Sequence, residues 1–201
     1  MVSGYYSAGM VKHPYWFIEF KKFINLLNEG MTYNKIKQDN LEDNIFSAAT
    51  EERAIMTYNT VSKRVKALDD EIIKVFPGLD VTNQKLVLLI AIMKSDLLFF
   101  EFMYEVFREK LIIGTAEIEE SDFRKFFRDK QTQSDRAAKW KDYTLKRLAG
   151  AYKTVLLESG VLENEVDGRR KIKKPIIDFA LENLLKDKNQ EVFLDILQGV
   201  R

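Results

Sequence analysis

The sequence predicts an all-α fold: a mainly helical globule containing helix-turn-helix-like units, with room for one short β-hairpin wing. Apolar residues recur at spacings of three and four, which places their side chains on one face of a helix. The 201 residues include only three prolines. No long alternation of apolar and polar residues, the pattern of a half-buried strand, is present.

Capping residues and buried stripes locate the individual helices. Thr32 and Thr50 stand where a side-chain oxygen can cap the second and third helices, and Gly160 stands where a helix should end. The third helix has a stripe that steps by four and three residues: Ala54, Tyr58, Val61, Val65 and Leu68. The predicted helices span about 14–30, 33–41, 51–68, 82–94, 96–111, 121–130, 134–139 and 142–159, then one that starts at Pro175 and a last one around 192–197.

The chain divides into two predicted helical regions. The N-terminal region, residues 1–115, holds a candidate first helix-turn-helix (31–68) and a central pair of apolar helices (82–111). The C-terminal region, residues 116–201, holds a winged helix-turn-helix-like unit (121–175). Charged residues interrupt the apolar pair, whereas a bilayer span needs about 20 predominantly apolar residues. We therefore expect a buried helix pair and no membrane partner.

Basic charge is concentrated in one quarter of a nearly neutral chain. Residues 121–174 carry 15 basic and 8 acidic side chains, whereas residues 1–120 carry 14 basic and 18 acidic ones. A local positive field attracts phosphate even when the net charge is only +1. The absence of cysteine and the single histidine exclude disulfides, thiolate nucleophiles and sites built on a pair of histidines.

Three helices followed by a hairpin are the layout of a winged helix-turn-helix, and here the third helix, from Asp142, would be the recognition helix. Polar side chains at its start could meet phosphates or base edges: Lys141, Thr144, Lys146 and Arg147. The DG step at 167–168 predicts a tight turn within 161–175. The predicted wing carries five bases: Arg169, Arg170, Lys171, Lys173 and Lys174. The alternative is that these charges only solubilise a surface.

The candidate first unit is a weaker DNA-binding prediction. Lys63 and Lys66, like Arg53 and Asn59, lie away from the apolar stripe of the third helix. However, acidic residues 51–52 occupy the helix start, where they would repel a phosphate. A core helix with a polar outer face is the favoured interpretation, with Lys63 and Lys66 flanking DNA.

No pattern in the sequence indicates catalysis. Glu101, Glu105 and Glu109 share one helix face that could hold a divalent metal, but neighbouring Arg108 and Lys110 favour ordinary ion pairs on a helix surface. There is no P-loop, no GxGxxG and no nucleophile elbow. We expect no enzyme activity, no metal and no cofactor.

Several longer runs resemble the BrxA family, a small core component of BREX (bacteriophage exclusion) phage-defence systems. They include WFIEFKKFINLLNEGMTYNKIK, FFRDKQTQSDRAAKWKDYTLKRLAGAYKTVLLESGVL and, most specifically, LLFFEFMYEVFREKLIIG. The resemblance runs from Tyr5 to about Leu162. It implies a cytoplasmic, helical, non-enzymatic protein with helix-turn-helix-like units, proposed to bind double-stranded DNA. It also implies action beside other BREX components such as the methyltransferase.

Together these observations predict a monomeric DNA-binding protein that contacts mainly phosphates, with weak sequence preference. A different class of protein, an adaptor that joins BREX components without touching DNA, stays open. A metal-dependent nuclease built on the Glu101 face is a third interpretation.

Overall fold

The computed structural model describes residues 4–115, 117–164 and 170–201, and α-helices predominate in them. A two-stranded antiparallel sheet pairs β1 (Glu117–Ile118) with β2 (Arg170–Lys171). The predicted class, mainly helical with one small hairpin, is confirmed. The helices are α1 (Phe17–Asn28), α2 (Tyr33–Glu42), α3 (Glu51–Lys66), α4 (Asp70–Val75), α5 (Val81–Ser95), α6 (Leu97–Phe102), α7 (Arg108–Ile112), α8 (Glu120–Gln133), α9 (Asp135–Ala138), α10 (Asp142–Glu158), α11 (Phe179–Asp187) and α12 (Glu191–Gln198).

Three shorter turns complete the helical part. Gly9–Lys12 and Phe76–Gly78 are 3₁₀ turns, and Met103–Phe107 is a π-helical turn that joins α6 to α7. The predicted caps are present. The hydroxyl oxygen of Thr32 accepts from the backbone N–H of Lys35, and that of Thr50 accepts from the backbone N–H of Arg53, both at 3.2 Å.

The core is built on α5, whose residues Leu86–Met93 are all buried. This helix contacts α1, α3 and α6, and for that reason it is apolar around its whole circumference. All members of the stripe predicted on α3 are buried. Buried side chains from both predicted regions belong to one apolar cluster, and the division into two regions stays a prediction. Among the described residues, none of the helices has both the length and the apolar character needed to cross a bilayer.

Two predicted helix starts are wrong. The first helix begins at Phe17 rather than near Pro14, because Trp16 adopts a left-handed conformation (φ 53°, ψ 49°) that an α-helix cannot include. The helix predicted from Pro175 begins at Phe179. Its cap is Asp178, whose carboxylate accepts from the Ala180 N–H at 2.8 Å.

A buried ammonium group joins α8 to the helix run from α6 to α7. Lys130 Nζ lies 2.7 Å from Glu101 Oε2 and 2.6 Å from Glu105 Oε1, and the Lys130 side chain is only 3% exposed. Burial by itself would lower the pKa of Lys130, but hydrogen bonds to the two carboxylates outweigh it and the pKa is raised. Lys130 is therefore a structural cation.

Replacing Lys130 by methionine should lower the free energy of unfolding by about 2 kcal/mol, because Glu101 and Glu105 lose their counter-ion while most of the apolar stem remains. The raised pKa means that the wild-type contribution is complete at neutral pH and disappears as alkaline pH deprotonates Lys130. Urea titrations at neutral and alkaline pH measure both effects. Lys125→Met, an exposed lysine of the same helix, should change stability by less than about 0.5 kcal/mol. Equal losses in both variants would contradict the assignment.

Two glycines should respond to alanine with opposite signs. Gly150 lies inside α10 with no described atom within 4 Å of an added Cβ, so Gly150→Ala should raise the free energy of unfolding by about 1 kcal/mol. Gly160, which follows α10 at φ +81°, should lose about 1 kcal/mol on the same change, because L-residues avoid that conformation. Thermal melts of both variants test the pair. A gain at Gly160 would be inconsistent with the left-handed end of α10.

Candidate nucleic-acid interface

The first half of α10 presents the polar side chains predicted to contact DNA. Lys141, the residue before the helix, is exposed, as are Lys146 and Arg147, and Thr144 is half-buried. The helix begins at Asp142, one residue earlier than a cap at Asp142 would place it. The capping position is Lys141, whose carbonyl accepts from the Thr144 N–H at 2.8 Å. Lys141 and Lys146 form no ion pair in the part of the chain that the structure describes.

The predicted wing is present in part. Leu162 and Ile172 form an antiparallel bridge, and the Lys173 N–H donates to the Val161 carbonyl at 2.9 Å. The DG turn and Arg169 lie outside the described residues. β1, which was not predicted, pairs with β2 on the other side. Three lysines of the returning segment are exposed and form no ion pair within the described residues: Lys171, Lys173 and Lys174.

Glu120 ties this segment to α10. Its Oε1 accepts from the Lys153 ammonium of α10 and lies 3.3 Å from Arg170 Nη1 of β2. The hydrogen bond from Lys153 leads the causes that hold the pKa of Glu120 below its ordinary value. Arg170 therefore helps to hold the hairpin against α8 through Glu120, in addition to being a candidate contact for DNA. Lys146 stands seven residues before Lys153, on the same side of α10, and so lies on the side nearer the wing.

The other side of α10 borders a groove against α3, about 430 Å³ in volume. We call it the α3–α10 groove. Its cations are Lys12, Arg53 and Arg147, from three separate elements, and no Asp or Glu occurs among the described residues that line it. Arg147, Ala151, Thr154 and Val155 supply the α10 wall. Cations without carboxylates leave a concave surface that favours phosphate.

The loop His13–Trp16 forms the border of this groove. The guanidinium of Arg64, buried in α3, donates from Nη1 to the carbonyls of Pro14 (2.9 Å) and Tyr15 (2.7 Å). Burial lowers the pKa of Arg64 to about 10, so it remains charged at neutral pH. The Trp16 ring in turn lies 4.7 Å beneath the guanidinium carbon of Arg53. Loop and cation thus hold each other in place.

The lowered pKa of His13 reflects its burial and the positive charge of this region. Burial lowers its pKa first, and nearby positive charges lower it further: those of Arg64, Lys63, Lys12 and Arg53. Its Nδ1 lies 2.9 Å from the Thr60 hydroxyl oxygen. The imidazole is therefore neutral at neutral pH, because another positive charge here would be repelled.

Lys63 and Lys66 do not join α10 in the α3–α10 groove. They line a separate cavity of about 730 Å³ that adjoins it at His13, which borders both. Lys63 Nζ donates to the Ser95 carbonyl at 3.0 Å, and Lys66 Nζ lies 5.0 Å from the centre of the Tyr33 ring. The acidic start of α3, residues 51–52, is absent from the described lining of both spaces.

Sequence reasoning missed Lys12 and Arg53 as site residues. Arg53 gave a weak signal, because it stands off the apolar stripe of α3. Lys12 gave none, since its position depends on the packing of the Gly9–Lys12 turn against α10. A contact between elements about 140 residues apart in the chain cannot be inferred from local periodicity.

The geometry does not favour the metal-dependent alternative. Glu101 and Glu105 both point at the ammonium group of Lys130 rather than leaving a space between carboxylates. Within the described residues, no group of three or more ligand-type side chains is placed to hold a metal ion.

Comparison with known proteins identifies a relative in sequence and, separately, a structure with the same fold. The chain is 37% identical over 194 residues to the BREX protein BrxA of Bacillus cereus (strain H3081.97), covering 96% of each. A crystal structure of an uncharacterised protein from Magnetospirillum magneticum shares the fold, with a TM-score of 0.78 at 16% identity; the match covers 96% of this chain and 98% of that one. The model of the BrxA family matches residues 4–189. The chain belongs to the BrxA family.

Proposed function

We propose that this chain is the double-stranded DNA-binding component of a BREX phage-defence system. The observation that carries the proposal is the α3–α10 groove, where Lys12, Arg53 and Arg147 converge without a carboxylate among the described lining residues. It borders the half of α10 that exposes Lys146, so cations flank this helix on both sides. Phosphates accept hydrogen bonds from such side chains and fix a protein on the duplex.

The strand arrangement supports a winged helix-turn-helix in this position. β1 precedes α8, and the segment after α10 returns to pair with it, so the helices α8 to α10 are enclosed between two paired strands. The bridge between Leu162 and Ile172 adds the outgoing arm of a hairpin. In this proposal the start of α10 enters the major groove, while Lys171, Lys173 and Lys174 follow the sugar–phosphate backbone.

The proposed contacts are mainly electrostatic. Arg147 is the described side chain best suited to a bidentate base contact, while the lysines interact with phosphates as point charges. Sequence preference should therefore be weak. We also propose that the protein binds as a monomer in the cytoplasm, without catalysing a reaction, beside other BREX components such as the methyltransferase.

A second candidate function is that of an adaptor between BREX components. Ile176 is 87% exposed and Phe179 is 77% exposed, directly after the basic segment. Two large, exposed apolar side chains only three residues apart in the chain are candidates for a contact with a partner protein. The two functions are compatible, since DNA and a partner protein would use different residues.

Lys146→Ala/Arg147→Ala should weaken binding to a 20-base-pair duplex about tenfold or more at low salt, whatever the DNA sequence. The plot of log K against log salt has a negative slope, and each cation that neutralises a phosphate adds about 0.9 to the magnitude of this slope. The magnitude should therefore fall by about 2 in this variant. Fluorescence-anisotropy titrations at several salt concentrations measure both quantities. The matched control is Lys37→Ala/Lys74→Ala, two exposed helical lysines elsewhere. If control and test variants bind alike at every salt concentration, α10 is not the DNA contact.

The wing and the α3–α10 groove can be tested separately. If each cation contacts one phosphate, Lys171→Ala/Lys173→Ala/Lys174→Ala should lower the magnitude of the slope of log K against log salt by about 3. Arg53→Ala should lower it by about 1. Circular dichroism establishes that each variant is folded. An unchanged isotherm in the lysine variant would remove the wing from the interface, and an unchanged isotherm in Arg53→Ala would remove the groove.

A further inference from the structure

The cavity beside the α3–α10 groove has features that DNA-backbone binding does not require. It measures about 730 Å³ and lies between the N-terminal segment 4–13, α3 and the junction of α5 with α6. This volume lies within the range of about 300–1,000 Å³ that is usual for small-molecule sites. It is concave, whereas the backbone of a duplex needs only an open face. We call it the N-terminal cavity.

Two ammonium groups supply the positive charge of the N-terminal cavity. Lys63 and Lys66 are exposed, stand three residues apart on α3, and form no ion pair in the described residues. The carboxylate in the lining, Asp96, is already in use: its Oδ1 accepts from the Phe99 N–H at 3.0 Å and caps α6. The other cation in the lining, Lys94, pairs with Asp69 at 2.7 Å. Lys63 and Lys66 are therefore the cations of the lining that an anion can pair with. Lys63 Nζ also donates to the Ser95 carbonyl at 3.0 Å, but an ammonium group has further N–H donors for an anion.

An aromatic ring lies in the same lining. Tyr5 is 71% exposed, although the guanidinium carbon of Arg136 lies only 4.0 Å from its ring centre. A tyrosine backed by arginine and still open to solvent offers a surface on which a planar base can stack. Asn59, exposed on α3, adds an amide that can both donate to and accept from a base edge.

We propose that the N-terminal cavity binds a single nucleotide, that is, a nucleoside monophosphate unit. Its phosphate pairs with Lys63 and Lys66, its base stacks on Tyr5, and Asn59 hydrogen-bonds the edge of the base. The shared chemistry allows two sources: a free nucleotide, or an unpaired nucleotide at a DNA strand end. The site uses none of the α10 or wing cations, so it does not depend on the DNA-binding proposal.

Isothermal titration calorimetry of the full chain with dAMP, deoxyadenosine and inorganic phosphate tests this proposal. We expect dAMP to bind about tenfold or more tightly than either fragment, because only dAMP engages the lysines and the ring together. Lys63→Ala/Lys66→Ala and Tyr5→Ala should each weaken dAMP binding about tenfold. The control Lys37→Ala/Lys74→Ala, which loses the same charge, should bind dAMP like the wild type. Phosphate binding as tight as dAMP binding, or equal losses in the two double-lysine variants, overturns the proposal.

Competition experiments separate the two sources and separate this site from the DNA surface. Displacement of dAMP by a duplex with one unpaired 5′-nucleotide, but not by covalently closed circular DNA, assigns the cavity to a strand end. Lack of displacement by either DNA assigns it to a free nucleotide. Displacement by both would mean that dAMP occupies the general DNA surface, and the proposal fails. Lys146→Ala/Arg147→Ala should retain dAMP binding even where it loses duplex binding, so the two proposals can fail independently.

Discussion

The surface proposed to bind DNA depends on one buried cation, Arg64. Its guanidinium satisfies two backbone carbonyls in the loop that runs from His13 to Trp16. A loop outside helices and strands has no regular backbone donors for its carbonyl groups, so these groups need other donors where they are buried. A charged donor makes strong hydrogen bonds to them. Both the α3–α10 groove and the N-terminal cavity end at His13 of this loop. If the loop moved, α3 and α10 would lose their common border.

Local patterns predicted what local forces decide. The caps at Thr32 and Thr50 and the buried stripe of α3 follow from side chains within a few residues of each other. The start of α11 was mispredicted because distant contacts decide it: the Asp178 N–H donates to the Asn83 side-chain oxygen at 2.9 Å, which holds the preceding segment against α5. The β1 strand escaped prediction since two residues carry no detectable alternation. Trp16 adopts its left-handed backbone where packing, not sequence propensity, determines the conformation.

The sequence predicted that the candidate site would be built from basic side chains, but not which of these side chains the fold brings together. The basic quarter of the chain does hold exposed cations, on α10 and after β2. Several of its charges are structural instead: Lys130 pairs with two carboxylates, and Lys153 and Arg170 share a third. The count of bases in the sequence therefore overstates the charge that a ligand can use. Conversely, Lys12 and Arg53 come from the part of the chain with an excess of acids, and the fold carries them to α10.

The shared carboxylate of Glu120 has a consequence for how the hairpin meets a polyanion. Arg170 and Lys153 already have this negative partner, although Glu120 itself is 48% exposed. A phosphate that binds either cation must compete with Glu120. Binding therefore replaces an existing ion pair instead of adding a new one. The net gain is the difference between two ion pairs, which is small on a hydrated surface. The arginines and lysines of this surface therefore fall into two groups. Cations without a carboxylate partner can bind a phosphate directly, whereas Arg170 and Lys153 must first exchange Glu120 for it.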